Sequence, residues 1–277
     1  MQSNYPIIDI HTHLRNDIPK HTRIAKESGI DVVVYMANCN PPLDNLERIK
    51  QSLEIERHCK AIPIGAITKN LEGKELVNID EIRTFVVGFS DDGKYLKDLN
   101  LLQEILKKEV LVMAHCSPSY EEGIKNPELE TEFIKRYLSV LEKTGGKLHI
   151  QHISKKESVD LIRDAKQQGI RITSETCPHY FTYTYQDLDI KVNPPLASEK
   201  DISAIKEGLS DGTIDVIASD YAPEPRETGI AEFKSFIPLS YGLVREGILT
   251  EEQLKGKLYT NPKRIIEGGG YKLNLFD

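Results

Sequence analysis

Residues 148–174 read LHIQHISKKESVDLIRDAKQQGIRITS and contain one full repeat of the pattern that decides the fold. The run 148–153 is short and aliphatic, the stretch 155–168 has helical periodicity, and 171–174 is aliphatic again. Gly169 lies where the helical stretch gives way to the second run, the place of a C-cap glycine. The alternation continues in both directions. Short Val- and Ile-rich runs recur at 7–10, 32–37, 62–67, 85–89, 111–114 and 216–219, which makes eight in all. They are mostly apolar without alternation, as parallel strands covered on both faces are. Helical stretches between them include 45–59, 99–108, 128–143 and 199–209. Ser198 is placed to N-cap the last of these, with Glu199 and Asp201 favourable in its first turn, and Gly29 ends a helical stretch just before the second run. Eight strands alternating with helices predict an α/β fold, a (β/α)8 TIM barrel, rather than an open doubly wound sheet. No repeat, low-complexity tract or linker interrupts it. One domain is expected over residues 1–277, with its core at about 5–267. The tail GGGYKLNLFD after Glu267 is too short to be a domain and is expected to be loosely ordered.

Composition narrows the partners. With 36 basic against 43 acidic residues the net charge is −7, which argues against nucleic acid or an anionic membrane surface as partner. No apolar run approaches the roughly 18 residues of a membrane span. The start, MQSNYPIIDIHTH, has neither the basic stretch nor the apolar core of a signal peptide. The four cysteines, Cys39, Cys59, Cys116 and Cys177, form no CxxC and read as reduced thiols. A cytoplasmic protein is expected.

In a barrel of this kind the active site lies at the C-terminal ends of the strands. Strand one ends in His11-Thr12-His13, strand four runs into Ser90-Asp91-Asp92-Gly93, strand five ends in His115, strand six in His152 and strand eight in Asp220. Each piece alone has an ordinary explanation: an HxH with one core and one exposed histidine, an Asp-Asp-Gly turn, a hydrogen-bonded core histidine, a capping aspartate. Five such coincidences at one end of five strands do not. Imidazoles with carboxylate oxygens are the donors of a Zn²⁺ site with an open position, and suit Mn²⁺ or Co²⁺ as well.

This arrangement resembles the amidohydrolase superfamily. DIHTHLR, MANCNPPLDN, GFSDDG, AHC, HISKKES, ETCPHYF, KVNPPL and DVIASDYAP resemble the successive motifs of dihydroorotases, in the branch with a bridging aspartate instead of a carbamylated lysine. The similarity runs from Asp9 to about Glu267. It implies one metal held by His11, His13, Asp92 and Asp220 and a second by His115 and His152, with Asp92 bridging, so one or two Zn²⁺ per chain. Arg15 and Asn38 match residues that hold the substrate's carboxylate, Asn193 matches a substrate contact, and Gly229 is a weaker match to a backbone contact. The implied reaction interconverts dihydroorotate and N-carbamoyl aspartate in pyrimidine biosynthesis. Metals lower the pKa of water from about 16 toward about 7, and Asp220 carries the proton to the leaving nitrogen. Arg15 offers a planar fork for a carboxylate. A homodimer and an association with aspartate carbamoyltransferase are the partners the family brings to mind.

Three departures lie in the substrate loops. The family's SDHAPH is Ser219-Asp220-Tyr221-Ala222-Pro223-Glu224, with a carboxylate replacing a substrate-contacting histidine. Ala197 follows KVNPPL in place of an arginine, and Ser117-Pro118 replaces an acidic pair. They leave two alternatives to dihydroorotase: a relative acting on another cyclic amide, of hydantoin, dihydropyrimidine or allantoin type, and a non-catalytic barrel that partners another enzyme. A flanking β-sandwich, present in many relatives, is not expected, because the first strand begins within ten residues of the start.

Overall fold

The structure, a computed structural model, describes residues 4–188, 190–223, 230 and 233–274. Its strands are β1 (Ile8–Thr12), β2 (Val32–Tyr35), β3 (Lys60–Pro63), β4 (Leu111–Ala114), β5 (Lys147–Ile150), β6 (Ile172–Thr176) and β7 (Val216–Ile217). All neighbouring pairs are parallel, in the orders β1-β2-β3 and β4-β5-β6-β7. Backbone hydrogen bonds join these two blocks into a ring. Val87 and Ser90 donate to Pro63 and Gly65 (3.1 and 2.9 Å), while Phe89 donates to Leu111 and accepts from Met113 (both 2.9 Å). On the other side Asp220 donates to His11 (3.0 Å) and His13 to Tyr221 (2.7 Å). The run expected as a strand at 85–89 is therefore the fourth stave, held by isolated bridges rather than a regular ladder.

Two separate cores explain why the strands are apolar on both faces. Ile8, Ile10, Val32, Val34, Met36, Ile62, Ile64, Val87, Leu111, Met113, Val216 and Ala218 form one buried cluster, the barrel interior. Their alternates, among them Ile7, Val33, Tyr35, Val112, Ala114, Leu148 and Ile150, pack against the helices. On β5 and β6 the interior positions are polar instead: His149, Gln151, Thr173 and Glu175, of which all but Thr173 are fully buried. Segregating the polar residues toward one end leaves an aliphatic floor and a polar upper half.

The floor is closed by the chain's last described segment. Ile265 and Ile266 of the helix Asn261–Gly268, and Leu273 beyond it, join the interior cluster. The expectation of a loosely ordered tail is corrected here through residue 274, because Leu273 is an anchor within it, 5% exposed. The helix expected at 45–59 is Leu46–Glu54, ended early because the Arg57 guanidinium takes the carbonyls of Leu53 and Ser52, each at 2.6 Å. Those expected at 99–108, 128–143, 155–168 and 199–209 are Leu99–Leu106, Leu129–Thr144, Lys156–Gln167 and Glu199–Asp211. Asp201 accepts from the amide and hydroxyl of Ser198 at the start of the last one (3.0 and 2.6 Å), and Gly29 and Gly169 take the left-handed conformation expected of them (φ 86° and 80°). No helix of the described residues is long and apolar enough to cross a membrane.

Gly88 marks the tightest point of the ring. A Cβ there would lie 2.6 Å from the carbonyl oxygen of Leu111 and 3.0 Å from its Cβ, so the stave and β4 would have to part. Gly88→Ala is expected to destabilise the fold by about 1–3 kcal/mol, read as a lower thermal unfolding midpoint.

Candidate active site

The site is assembled from the ends of six staves. His11 is the last residue but one of β1 and His13 follows the strand; Asn38, Asp92, His115 and His152 lie just past β2, the fourth stave, β4 and β5; Asp220 lies past β7. With Ile8 and Ile10 facing the interior, strict alternation would turn His11 toward the helices. The β1–β2 register shifts between Asp9 and Thr12, and this irregularity re-aims the strand end so that His11 faces inward. Asp220, His152 and Arg15 all have positive φ (52°, 33° and 53°), a conformation costing of order 1–3 kcal/mol each that clusters at functional sites.

Asp92 organises the donors. Its Oδ2 lies 3.0 Å from His13 Nε2 and 3.5 Å from His11 Nε2, and its Oδ1 lies 3.0 Å from His115 Nδ1 and 3.6 Å from His152 Nε2. Asp220 Oδ1 is 3.0 Å from His13 Nε2 and 3.4 Å from His11 Nε2. Tetrahedral donors at 2.0–2.1 Å from one ion stand about 3.3 Å apart, so these spacings suit one cation on each side of Asp92. His11, His13 and Asp92 form one group of donors, and Asp92, His115 and His152 another. Burial works against ionising Asp92, but His11 and His13 hold its carboxyl well below the ordinary range. For Asp220 burial is again opposed by His11 and His13, and the net direction is down.

Asp91 does something else. Its carboxylate accepts from the amides of Ile67 and Thr68 (2.8 and 3.0 Å) and from the Thr68 hydroxyl, fastening the loop after β3. Two adjacent aspartates thus point in opposite directions, one to the imidazoles and one to the backbone.

Residues behind the donors fix their rings. His11 Nδ1 meets Glu175 Oε1 at 2.5 Å, and Glu175 Oε2 meets His149 Nε2 at 3.0 Å. Burial alone would raise the Glu175 carboxyl, but His11 and His149 hold it down at about 2. The carboxylate fixes which His11 nitrogen faces the site and makes it more basic. Gln151 Nε2 lies 3.3 Å from His11 Nδ1. Neither Glu175, His149 nor Gln151 was singled out from sequence. Their signal was their place at alternate positions of two otherwise apolar runs, where an interior-facing polar residue needs a partner.

A cavity of about 100 Å³ opens over this centre, lined by His13, Arg15, Asn38, Asp92, Gly93, His115, His152, Asn193, Asp220 and Ala222. Arg15 is the one Lys or Arg in that lining among the described residues. Asn38 holds His13 Nδ1 through its Oδ1 (2.9 Å) and donates to the Asp92 carbonyl (3.1 Å), so it braces the centre as well as lining the cavity. Asn193 donates to the Pro118 carbonyl (2.8 Å) and accepts from the Ser117 hydroxyl (3.2 Å). The departures take on physical meaning. Ser117-Pro118 supports Asn193, Ala197 is buried, and Tyr221 turns away to His21 (2.8 Å) and stacks on Phe233 at 3.7 Å. Glu224 and Gly229 lie outside the described residues.

No family model matches the chain. It is 33% identical to a dihydroorotase of Ruminiclostridium cellulolyticum, over 94% of this chain and 72% of that one. It is 34% identical to a dihydroorotase of Elusimicrobium minutum, over 94% and 71%. Among solved structures, an L-hydantoinase from Arthrobacter aurescens superposes with a TM-score of 0.83 at 20% identity, covering 94% of this chain and 70% of the other. A dihydroorotase from Campylobacter jejuni superposes with a TM-score of 0.74 at 20% identity, covering 96% and 86%. The structural likenesses establish the shared barrel. The sequence likeness, spread over nearly the whole chain, establishes that this protein belongs to the dihydroorotase family of cyclic amidohydrolases.

Proposed function

We propose that this protein interconverts dihydroorotate and N-carbamoyl aspartate. His11, His13, Asp92 and Asp220 would hold one divalent metal, and His115, His152 and Asp92 a second. The observation that carries the reading is the division of Asp92, one oxygen toward each pair of histidines. Nitrogen and carboxylate donors with room for a further ligand suit Zn²⁺. Metals bound there acidify water and polarise the amide oxygen.

The chain's own groups supply the rest. Asp220 is ionised and stands at the cavity wall, so it can accept a proton from the attacking water and return it to the ring nitrogen as the C–N bond opens. Arg15 sets the charge preference. As the one Lys or Arg of the lining among the described residues it is the counter-charge for a substrate carboxylate, and its fork geometry favours two parallel hydrogen bonds. Asn193, held by Ser117 and Pro118 in the cavity lining, would contact the ring.

Asp220→Asn keeps an oxygen donor and removes the basic oxygen pair. It is expected to retain metal by elemental analysis while turnover falls by about 10²–10⁴-fold. Turnover near wild type would place the proton transfer on another group. Arg15→Met is expected to lower kcat/KM for dihydroorotate by about 2–4 kcal/mol of transition-state binding and to leave hydrolysis of dihydrouracil or hydantoin little changed. Ring-opening assays on metal-quantified protein decide it. A wild type that prefers the neutral rings, or an Arg15→Met protein unaltered toward dihydroorotate, would transfer the proposal to a hydantoin- or dihydropyrimidine-type substrate.

A further inference from the structure

One buried imidazole at the top of the barrel has no part in the chemistry above. His179 sits in the short helix Pro178–Thr182 just past β6, is 4% exposed, and its Nε2 has no hydrogen-bond partner among the described residues. A buried nitrogen left without a partner is costly unless something occupies the space before it. Its neighbours indicate what that is. One donor atom each from Cys177, His179 and Asp220 lies within 4.8 Å of the others; Cys177 and His179 are buried, and Asp220 is half-buried at the cavity wall. Cys177 ends the extended stretch after β6 (φ −116°, ψ 154°) and is fully buried.

We infer that Cys177, His179 and Asp220 form a third cation site, for Zn²⁺ or another thiol-seeking divalent ion, beside the two that share Asp92. Thiolate, imidazole and carboxylate together are a zinc donor set, and sulfur distinguishes it from the all-nitrogen-and-oxygen centre next to it. On loading, the Cys177 S–H bond breaks, its proton leaves to solvent, and a sulfur–metal bond takes its place. Asp220 is the residue common to this site and the first, so an ion here would restrain the carboxylate that moves the proton. The site rests on the reading above only through Asp220, and its test does not use turnover.

The full chain, stripped with chelator and titrated with Co²⁺ alone, gives the measurement. The histidine–carboxylate centre has no sulfur, so a thiolate-to-cobalt charge-transfer band in the near ultraviolet reports a cysteine ligand. The wild type is expected to show that band, and Cys177→Ser to lose it together with one bound cobalt per chain. The visible bands of the remaining cobalt should persist. His179→Gln, which keeps the thiol, is expected to weaken or abolish the band and serves as the check should Cys177→Ser not fold. A cobalt-saturated wild type without the band, the band surviving in Cys177→Ser, or an unaltered band in His179→Gln would each overturn the site. Dihydroorotate turnover, measured separately, bears on the substrate and not on this result.

Discussion

Everything at the mouth of this barrel depends on the sharing of one buried carboxylate. Asp92 is 4% exposed, and a charge so placed is tolerated only when it is surrounded by partners. Four imidazoles, two to each oxygen, meet that need, and in doing so they draw together strand ends that are far apart in the chain. The remaining parts follow from it. Glu175 and Asn38 hold His11 and His13 from behind. The register irregularity in β1 turns His11 inward, to the carboxylate that His13 also reaches. A centre built this way has few ways to relax. Removing Asp92 would leave the imidazoles without their common acceptor, so its cost would fall on stability and on chemistry together.

Much of this was legible in the sequence, for an identifiable reason. A parallel barrel buries both faces of its strands and ends each strand at the same rim, so aliphatic runs followed by His or Asp specify both the fold and the site. His11, His13, Asp92, His115, His152 and Asp220 were expected from that rule and the family motifs, and the structure gathers them around one cavity or directly behind it. The lengths of the strands were less legible. Staves four and eight needed neighbours to define them, and a few backbone hydrogen bonds replace the ladder there.

What could not be read was which way adjacent side chains point. Asp91 and Asp92 are chemically identical; the family motif pointed to Asp92, but the part Asp91 plays on the amides of Ile67 and Thr68 had no signal. His149, Gln151 and Glu175 looked like interruptions of hydrophobic runs, because the inner and outer faces of a barrel strand carry the same composition until the third dimension assigns them. Asn38 was expected to meet substrate, and it also has bracing bonds that no motif announces. The tail after Glu267 looked polar and glycine-rich, yet Leu273, with Tyr271 packed on the same cluster, ties it to the interior.

The aliphatic plug formed by Ile265, Ile266 and Leu273 gives the barrel a polarity of access. Among the described residues these side chains stand between the carboxylates and the lower end, so solvent, substrate and product would share the upper doorway. A ring entering and an open chain leaving therefore compete for the same aperture, and the traffic through it is set by the loops at the rim alone. Those loops can change the molecules admitted without disturbing the sealed end, which leaves the barrel's stability and its selectivity to be altered independently.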